Sequence, residues 1–262
     1  MQGRALPDDD DAVDDANTDR DERLRRALAA SGLELDDDPA TTGGDDQRGQ
    51  KLYDWWSRRP RVYAAVMDLA APLFEDAFDA LDARPGEVVC DLGCGHGRNF
   101  QRLVDAVDAD GEPATAADDR GAVVGVDYSA GMVAKARARV RDAGWRGVHV
   151  ARGDATETVG PDDTYDAVFT TFALHTMQDP HAVLENVRDA LAPDGRFVAL
   201  DGGGLRAPGT RWLNPVFERA LAFTVDHQVG VDTLAATRDV FDDVTVVDTY
   251  DAGSGYVIVA RT

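Results

Sequence analysis

The segment from Glu87 to Phe100 constrains the fold of this chain more than any other. It reads Glu-Val-Val-Cys-Asp-Leu-Gly-Cys-Gly-His-Gly-Arg-Asn-Phe, an apolar run that ends at an acid and continues into three glycines at alternate positions. The apolar run predicts a buried strand, and the glycines predict a tight turn that opens a helix. Glycine lets a backbone approach a ligand closely, and the N–H groups of the first helical turn face the same gap. The pattern therefore predicts a strand, turn and helix that bind a small ligand.

The spacing of these glycines separates two kinds of nucleotide site. A dinucleotide-binding turn needs G-x-G-x-x-G, and here Arg98 stands where the last glycine of that pattern belongs. The acid Asp91, two residues before the first glycine, suits a cationic ligand better than a pyrophosphate. The pattern Asp91-x-Gly93-x-Gly95-x-Gly97 resembles the first motif of the Rossmann-like, class I, S-adenosylmethionine-dependent methyltransferases.

The rest of the chain follows an alternation of strands and helices. Between the apolar runs, the segments predict helices with ordinary caps, among them Ser129 before one helix and Asp179 with Pro180 at the start of another. Two β-rich runs, 244–250 and 256–260, are joined by Asp-Ala-Gly-Ser-Gly, which predicts an antiparallel hairpin. We therefore predict an α/β fold, a doubly wound and mostly parallel sheet with a C-terminal antiparallel hairpin. The five earlier strands are predicted at 88–91, 122–127, 148–151, 167–171 and 197–200.

The resemblance covers about residues 53–261 and is nearest to the ubiquinone/menaquinone-type and lipid-headgroup-type small-molecule methyltransferases. Leu191-Ala-Pro-Asp-Gly-Arg matches their turn before the fifth strand, although Asp194 stands where the family often has glycine. No Asn-Pro-Pro-Tyr-like motif follows the fourth strand, which argues against adenine or glutamine N-methylation. The resemblance implies transfer of a methyl group from S-adenosylmethionine to a small-molecule or lipid-like acceptor, such as a quinone precursor, a lipid amine or another metabolite.

The chain is predicted to consist of an acidic tail and one domain. Residues 1–49 carry runs of aspartate and few large apolar groups, so this tail is predicted to be largely disordered, with room for one short helix at Leu24 and Leu28. Residues 50–262 form the predicted methyltransferase domain. Its first part, residues 50–84, is rich in aromatic and apolar side chains and is predicted to be a helical lid.

Three acids, Asp91, Asp127 and Asp154, stand at the ends of successive predicted strands. Open α/β sheets bind ligands at this edge, and three such acids are hard to explain as helix caps alone. By resemblance, the turn after Asp91 wraps the methionine part of the cofactor, Asp127 accepts hydrogen bonds from both ribose hydroxyls, and Asp154 meets the adenine edge. The implied cofactor-binding residues are Asp91, Gly93, Cys94, Gly95, Gly97, Asp127, Tyr128, Met132, Asp154, Ala155, Thr171 and Phe172.

The segment after the fourth strand, Thr-Thr-Phe-Ala-Leu-His, faces the transferred methyl group in similar enzymes. His175 is therefore a candidate general base, because histidine has an ordinary pKa of about 6.5. It fits equally well as a residue that only packs against the cofactor or holds the loop. Aromatic and polar residues on either side of the core are candidates for a substrate pocket, with plain packing as the alternative: Tyr53, Trp56, Tyr63, Trp212 and Asn214.

Composition excludes some partners. The formal net charge is −22, with 49 Asp and Glu against 27 Lys and Arg, so a nucleic acid is not a predicted partner. The acidic, lysine-poor composition resembles that of halophilic proteins. No apolar stretch approaches the roughly 20 residues that span a bilayer, and the N-terminus is acidic, so the predicted location is the cytoplasm. The 2 cysteines and 5 histidines show no ligand spacing, and no metal is predicted.

Two other functions stay open at this point. A NAD(P)-dependent oxidoreductase would use the same strand, turn and helix, although the glycine spacing and the terminal hairpin oppose it. A non-catalytic S-adenosylmethionine-binding protein would keep the turn and lack an acceptor pocket. The acceptor, the attacked atom and the oligomeric state are open as well.

Overall fold

A computed structural model describes residues 9–35, 60–107, 120–216, 218–219, 231–250 and 253–262. Its seven strands form one sheet in the order β3-β2-β1-β4-β5-β7-β6. The strands are β1 (Val88–Leu92), β2 (Ala122–Asp127), β3 (Val148–Arg152), β4 (Tyr165–Thr171), β5 (Leu191–Gly202), β6 (Asp243–Tyr250) and β7 (Gly255–Arg261). The longer helices are α1 (Asp9–Ala30), α2 (Pro60–Leu81), α3 (Phe100–Val107), α4 (Ala130–Ala143), α5 (Pro180–Ala190) and α6 (Thr233–Val240).

The sheet has the predicted parallel body and antiparallel end. Strands β1 to β5 pair in parallel, and β7 runs antiparallel to both β5 and β6. The order reverses between β1 and β4, and a crevice forms at such a point because the crossovers on either side lead away from it. The predicted fold class is therefore confirmed, and the ends of β1 and β4 mark the place where a ligand is expected.

Helices cover both faces of the sheet. On one face, α2, α3 and α4 bury side chains such as Leu81, Phe100 and Val133 against the strands. On the other face, α5 and α6 bury Leu184 and Leu234. The strands are buried on both faces, which explains why β1 and β2 read as continuous apolar runs rather than alternating ones.

The helix boundaries follow the predicted caps. The carboxylate of Asp179 accepts a hydrogen bond from the backbone N–H of Ala182 at 3.1 Å, and Pro180 begins α5. Gly144 closes α4 with a left-handed φ of 75°, which places its N–H against the last carbonyls of that helix. Ser129 precedes α4 as expected, but its side chain makes no capping hydrogen bond. The acidic segment of residues 108–119, between α3 and β2, lies outside the described residues.

The first 35 residues depart from the prediction. Asp9–Ala30 is helical, and Leu28 and Leu33 are 0% and 3% exposed in the core beside β2 and β3. Glu34 forms an antiparallel bridge with Arg152, with backbone hydrogen bonds of 2.8 Å in both directions. Residues 153–164, which connect β3 to β4, contain no helix, and α1 covers that face instead.

The prediction of a largely disordered tail is therefore wrong for residues 9–35. The apolar stripe of α1 is short. Its burial offsets the entropy lost on ordering the helix only when the assembled sheet provides a surface against which the stripe can pack. Residues 1–8 and 36–49 lie outside the described residues, and the domain boundary at residue 50 stays a prediction.

Candidate cofactor and acceptor site

The glycine turn after β1 opens onto empty space. Gly93 and Gly95 have φ values of 69° and 56°, in the left-handed region that favours glycine. The backbone N–H groups of Gly93 and Cys94 donate to the carbonyl of Val126 at 2.8 and 3.1 Å, which fixes the turn to the end of β2. A Cβ on Gly93 would lie 2.4 Å from the Cβ of Ala173, whereas one on Gly95 would meet no atom within 4 Å. The backbone at Gly95 thus borders a space that a ligand can fill.

Alanine at Gly95 is expected to weaken binding of S-adenosylhomocysteine, the product form of the cofactor, by about tenfold or more, because overpacking a contact costs ~1–3 kcal/mol. Gly144 provides a matched control, since it also has a left-handed φ and open space around the added Cβ. Both substitutions carry a similar backbone strain of about 1–2 kcal/mol. Calorimetric titration measures the loss of ligand binding, and thermal unfolding measures the loss of stability that the backbone strain causes. Equal binding by Gly95→Ala and Gly144→Ala would show that the space at Gly95 does not receive the ligand.

Asp91 lies at the centre of the sheet edge and is fully buried. The side-chain amide of Asn99 donates to Asp91 Oδ1 at 3.0 Å and to Thr171 Oγ1 at 3.1 Å, joining the ends of β1 and β4. The other carboxyl oxygen, Oδ2, is buried and has no hydrogen-bond partner. Burial raises the pKa of Asp91 to about 7, with Asn99 opposing that rise and the charge of Asp127 adding to it. A buried, unpartnered acceptor at this edge suits a ligand that brings a cation or an N–H group.

Asp127 ends β2 and orders the chain around it. Its Oδ2 accepts from the N–H of Gly95 and its Oδ1 from the N–H of Ser129, both at 2.8 Å. A carboxylate offers about four acceptor positions, so backbone N–H groups and ligand hydroxyls can share one such group. Asp154 follows β3 and accepts from the N–H and hydroxyl of Thr156 at 2.9 and 2.7 Å, which forms a local turn. The structure thus brings all three predicted acids to one edge of the sheet.

The other predicted cofactor residues surround the same edge in different ways. Ala155 is buried, and its carbonyl accepts from the amide of Asn186 at 2.9 Å. Phe172 has a left-handed φ of 53° and meets Phe74 of α2 edge to face, with ring centroids 5.7 Å apart. Gly97 lies in the glycine turn against the Phe100 ring, and Cys94 of the same turn is buried. Met132 is half-buried in α4, and Tyr128, directly after β2, is 56% exposed. Their roles in binding stay predictions.

His175 has a partner that the sequence analysis missed. It lies in a short 3-10 helix after β4, it is 5% exposed, and its Nδ1 is hydrogen-bonded to Oδ1 of Asp201. Asp201 is fully buried near the end of β5, where it pairs with Tyr256 of β7. Burial and the nearby charge of Asp201 raise the pKa of Tyr256 to about 12, so its phenol stays protonated. Asn99, which directly precedes α3, is a second site residue that the predicted set does not contain.

The predicted pocket residues are only partly placed. Tyr53 and Trp56 lie outside the described residues, and Tyr63 lies in α2 at a position whose side chain is not described. Trp212 is 75% exposed, so its ring lies on the surface and not in the described core. Asn214 holds the backbone of Leu205, accepting from its N–H at 2.7 Å and donating to its carbonyl at 3.2 Å. A joint substrate pocket of these five residues stays a prediction.

Among the described residues, no group of three or more His, Cys, Asp and Glu side chains is arranged to hold a metal ion. No helix among them is both long enough and apolar enough to cross a membrane.

The site fits S-adenosylmethionine better than a dinucleotide. The N–H of Gly95, whose backbone borders open space, is bonded to the Asp127 carboxylate, and the buried Oδ2 of Asp91 calls for a positive or N–H donor group. S-adenosylmethionine carries a sulfonium, an ammonium and two ribose hydroxyls, whereas a pyrophosphate would face the charge of Asp91. With the reversed last strand β7, this edge defines the Rossmann-like, class I, S-adenosylmethionine-dependent methyltransferase type.

Comparison with known proteins agrees with that class. The family model described as a methyltransferase domain matches residues 83–213, and the chain belongs to this family. It is 32% identical over 170 residues to the demethylmenaquinone methyltransferase of Beutenbergia cavernae, covering 64% of this chain and 60% of that protein. It is also 32% identical over 127 residues to the ubiquinone/menaquinone biosynthesis C-methyltransferase of Vibrio campbellii, covering 47% and 44% of the two chains. The chain spans about half the length of the curated relatives that it matches.

A solved structure supports the fold alone. A chain from the complex between the Haloferax volcanii Trm112 methyltransferase activator and a methyltransferase superposes with a TM-score of 0.56 at 18% identity. The match covers 80% of this chain and 96% of that chain.

Proposed function

We propose that this protein transfers a methyl group from S-adenosylmethionine to a carbon of a quinone-precursor ring. The observation that carries the proposal is the edge of the sheet where β1, β2 and β3 end beside Asp91, Asp127 and Asp154 and where the backbone of Gly95, bonded to Asp127, borders open space. The quinone-type acceptor is taken from the names of the relatives that act on demethylmenaquinone and on ubiquinone or menaquinone precursors. A lipid amine or another small metabolite is the alternative acceptor.

Three parts of the chain would hold the cofactor. The unpartnered Oδ2 of Asp91 would accept from the methionine ammonium, and Asp127 would accept from the ribose hydroxyls. Asp154 and the backbone of Ala155 would meet the adenine edge. When bound, S-adenosylmethionine supplies a methyl group activated by its positive sulfur. The residues then contribute mainly orientation and exclusion of water, which can account for a large part of the rate of a transfer of this kind.

His175 and Asp201 would handle the proton of the acceptor. A carboxylate on Nδ1 holds the tautomer in which Nδ1 carries the hydrogen and Nε2 is the basic atom. A ring hydroxyl that gives up its proton to Nε2 would make the neighbouring ring carbon more nucleophilic. After that carbon has taken the methyl group from sulfur, it would lose its own hydrogen as a proton, which restores the aromatic ring. The burial of Asp201 keeps water from competing for the imidazole. His175 is therefore assigned as the general base and Asp201 as the positioning residue.

Calorimetry and an acceptor assay test the proposed function. S-adenosylhomocysteine is expected to bind and NAD is not. The affinity is expected to fall as pH decreases from 8 to 6, because protonation of Asp91, with a pKa of about 7, removes the charge that faces the ammonium. Asp91→Asn should weaken binding and remove this pH dependence.

Methyl transfer is then measured with a demethylated quinone, a lipid amine and small phenols. Binding of NAD alone would point to an oxidoreductase, and cofactor binding without turnover on any acceptor would point to a non-catalytic binding protein.

A further inference from the structure

The segment that follows α1 pairs with the edge of the sheet beside the candidate site. Strand β3 is the last strand of the sheet on that side, and Arg152 is its final residue. Glu34 lies opposite Arg152, and each of the two residues donates its backbone N–H to the carbonyl of the other at 2.8 Å. Arg137 of α4 donates to the same Glu34 carbonyl at 2.8 Å. We call residues 33–35 the strap, and it lies at the end of β3 that leads to Asp154.

The side chain of Arg152 connects the strap to the turn after β2. Its guanidinium lies 3.5 Å from the Glu34 carboxylate, and its Nε donates to the carbonyl of Tyr128 at 3.2 Å. Tyr128 stands between Asp127 and Ser129, and the N–H of Ser129 donates to the Asp127 carboxylate. Arg152 therefore holds the backbone of the turn that orders Asp127.

Leu33 of the strap supports the turn after β3. It is 3% exposed, and its Cδ2 lies so close to Gly153 that a Cβ on that glycine would be 2.4 Å away. The N–H of Gly153 donates to the carbonyl of Asp127 at 3.2 Å, and Asp154 follows directly. The strap thus supports, through Leu33 and Arg152, both turns that carry the acids assigned to the adenosine half of the cofactor.

The ion pair of Glu34 and Arg152 is not a strong source of stability. The two side chains are 55% and 24% exposed, and ion pairs that contact solvent add little to the stability of a fold. Tyr128, whose carbonyl Arg152 holds, is 56% exposed, so this contact does not fix a core residue. The contact instead fixes the backbone next to a binding residue, which is how supporting side chains keep a ligand site in its binding geometry.

We propose that the strap is part of the cofactor site and that Arg152 is a positioning residue for the adenosine half of S-adenosylmethionine. The inference rests on the proposed assignment of Asp127 and Asp154 to that half. The docked strap holds the two turns in the geometry that the ligand meets, so the cofactor binds more tightly when the strap is docked. Because linkage is reciprocal, the bound cofactor holds the strap on β3 by the same factor.

Binding measurements on the full chain test the role of Arg152. Arg152→Ala is expected to lower the affinity for S-adenosylhomocysteine about five- to tenfold, which is within the usual range for coupled sites. Adenosine, which lacks the methionine part, is expected to lose the same factor, and Arg152→Lys, which keeps a charge beside Glu34, should recover part of it. Arg26→Ala is the matched control, because Arg26 forms an exposed ion pair of 3.0 Å with Glu22 within α1 and outside the strap. This control is expected to bind both ligands like the wild type.

Hydrogen exchange on the wild type tests the reciprocal effect without a substitution. Saturating S-adenosylhomocysteine is expected to slow exchange of the Glu34 and Arg152 amides about fivefold or more. Residues 196–200 of β5, which pair with β7 and are separated from β3 by three strands, report any general stabilisation and should slow less. In Arg152→Ala, the ligand should slow the Glu34 amide less than in the wild type. A purely structural role for Arg152 would leave this response to the ligand unchanged.

Three results would overturn the strap proposal: unchanged binding by Arg152→Ala, an equal loss in Arg26→Ala, or exchange at Glu34 that does not respond to the ligand. Methyl transfer is measured on the same samples. Coupling between the strap and the ligand without methyl transfer to any acceptor would refute the proposed function and leave the strap proposal intact, and the reverse pattern would do the opposite. A wild type that does not bind S-adenosylhomocysteine would overturn both.

Discussion

Replacing Asp127 with alanine is expected to lower the affinity for S-adenosylhomocysteine by at least about 100-fold. A hydrogen bond to a charged group is worth about 1.5–3 kcal/mol, and the carboxylate is expected to accept two from the ribose hydroxyls. The substitution also removes the acceptor of the N–H groups of Gly95 and Ser129, so the free energy of unfolding should fall by about 1–3 kcal/mol. Titration calorimetry measures the affinity for S-adenosylhomocysteine, and chemical denaturation measures the free energy of unfolding.

Asp179→Ala is the matched control for this result. Asp179 also accepts a backbone N–H at the start of a helix, but it is outside the predicted cofactor set. Asp179→Ala should lower the free energy of unfolding by about 1 kcal/mol and leave the affinity for S-adenosylhomocysteine unchanged. Asp127→Asn, which keeps one acceptor oxygen, is expected to lie between the wild type and the alanine variant. If Asp127→Ala bound S-adenosylhomocysteine as tightly as the wild type, the ribose assignment would be wrong.

Replacing His175 with alanine is expected to lower kcat by about 100-fold or more while leaving the affinity for S-adenosylhomocysteine within a few-fold. A positioned general base contributes about 10²–10⁴ to a rate, and the partner of His175, Asp201, lies on β5 and not in the glycine turn. Asp201→Asn preserves the shape of the buried side chain and removes its charge, so kcat should fall by a smaller factor. Steady-state kinetics, measured on the acceptor that the methyl-transfer assay identifies, provide kcat and KM for each variant.

His181 offers the control for this pair, since it forms an exposed contact of 3.6 Å with Asp239. His181→Ala should leave kcat and stability unchanged. Free imidazole should restore part of the activity of His175→Ala if the histidine acts as a base, because the deleted ring leaves space for it. Loss of activity that imidazole does not restore, together with a lower melting temperature, would assign His175 to packing.

Much of this molecule could be predicted because the relevant signals are local. The glycine turn, the acid before it and the caps at Asp179 and Gly144 depend on neighbours within a few residues, so the sequence predicts them directly. The strand ends are local signals too. Because parallel strands meet at one edge of the sheet, Asp91, Asp127 and Asp154 could be assigned to a common site without a structure.

The side-chain partners at that edge could not be predicted in this way. Asn99 reaches Thr171 across 72 positions in sequence, and His175 meets Asp201 across 26. Such contacts depend on the order of the strands and on their register, and a shift of one residue would turn each side chain to the other face.

The α/β class, the glycine turn and the set of acids along the carboxyl edge could all be predicted, because each follows from the pattern of neighbouring residues. The packing of α1 on the sheet, the bond from Asn99 to Asp91 and the support of His175 by Asp201 became visible only in the folded chain. These contacts gain their free energy from surfaces formed by distant segments, which exist only after the sheet has assembled.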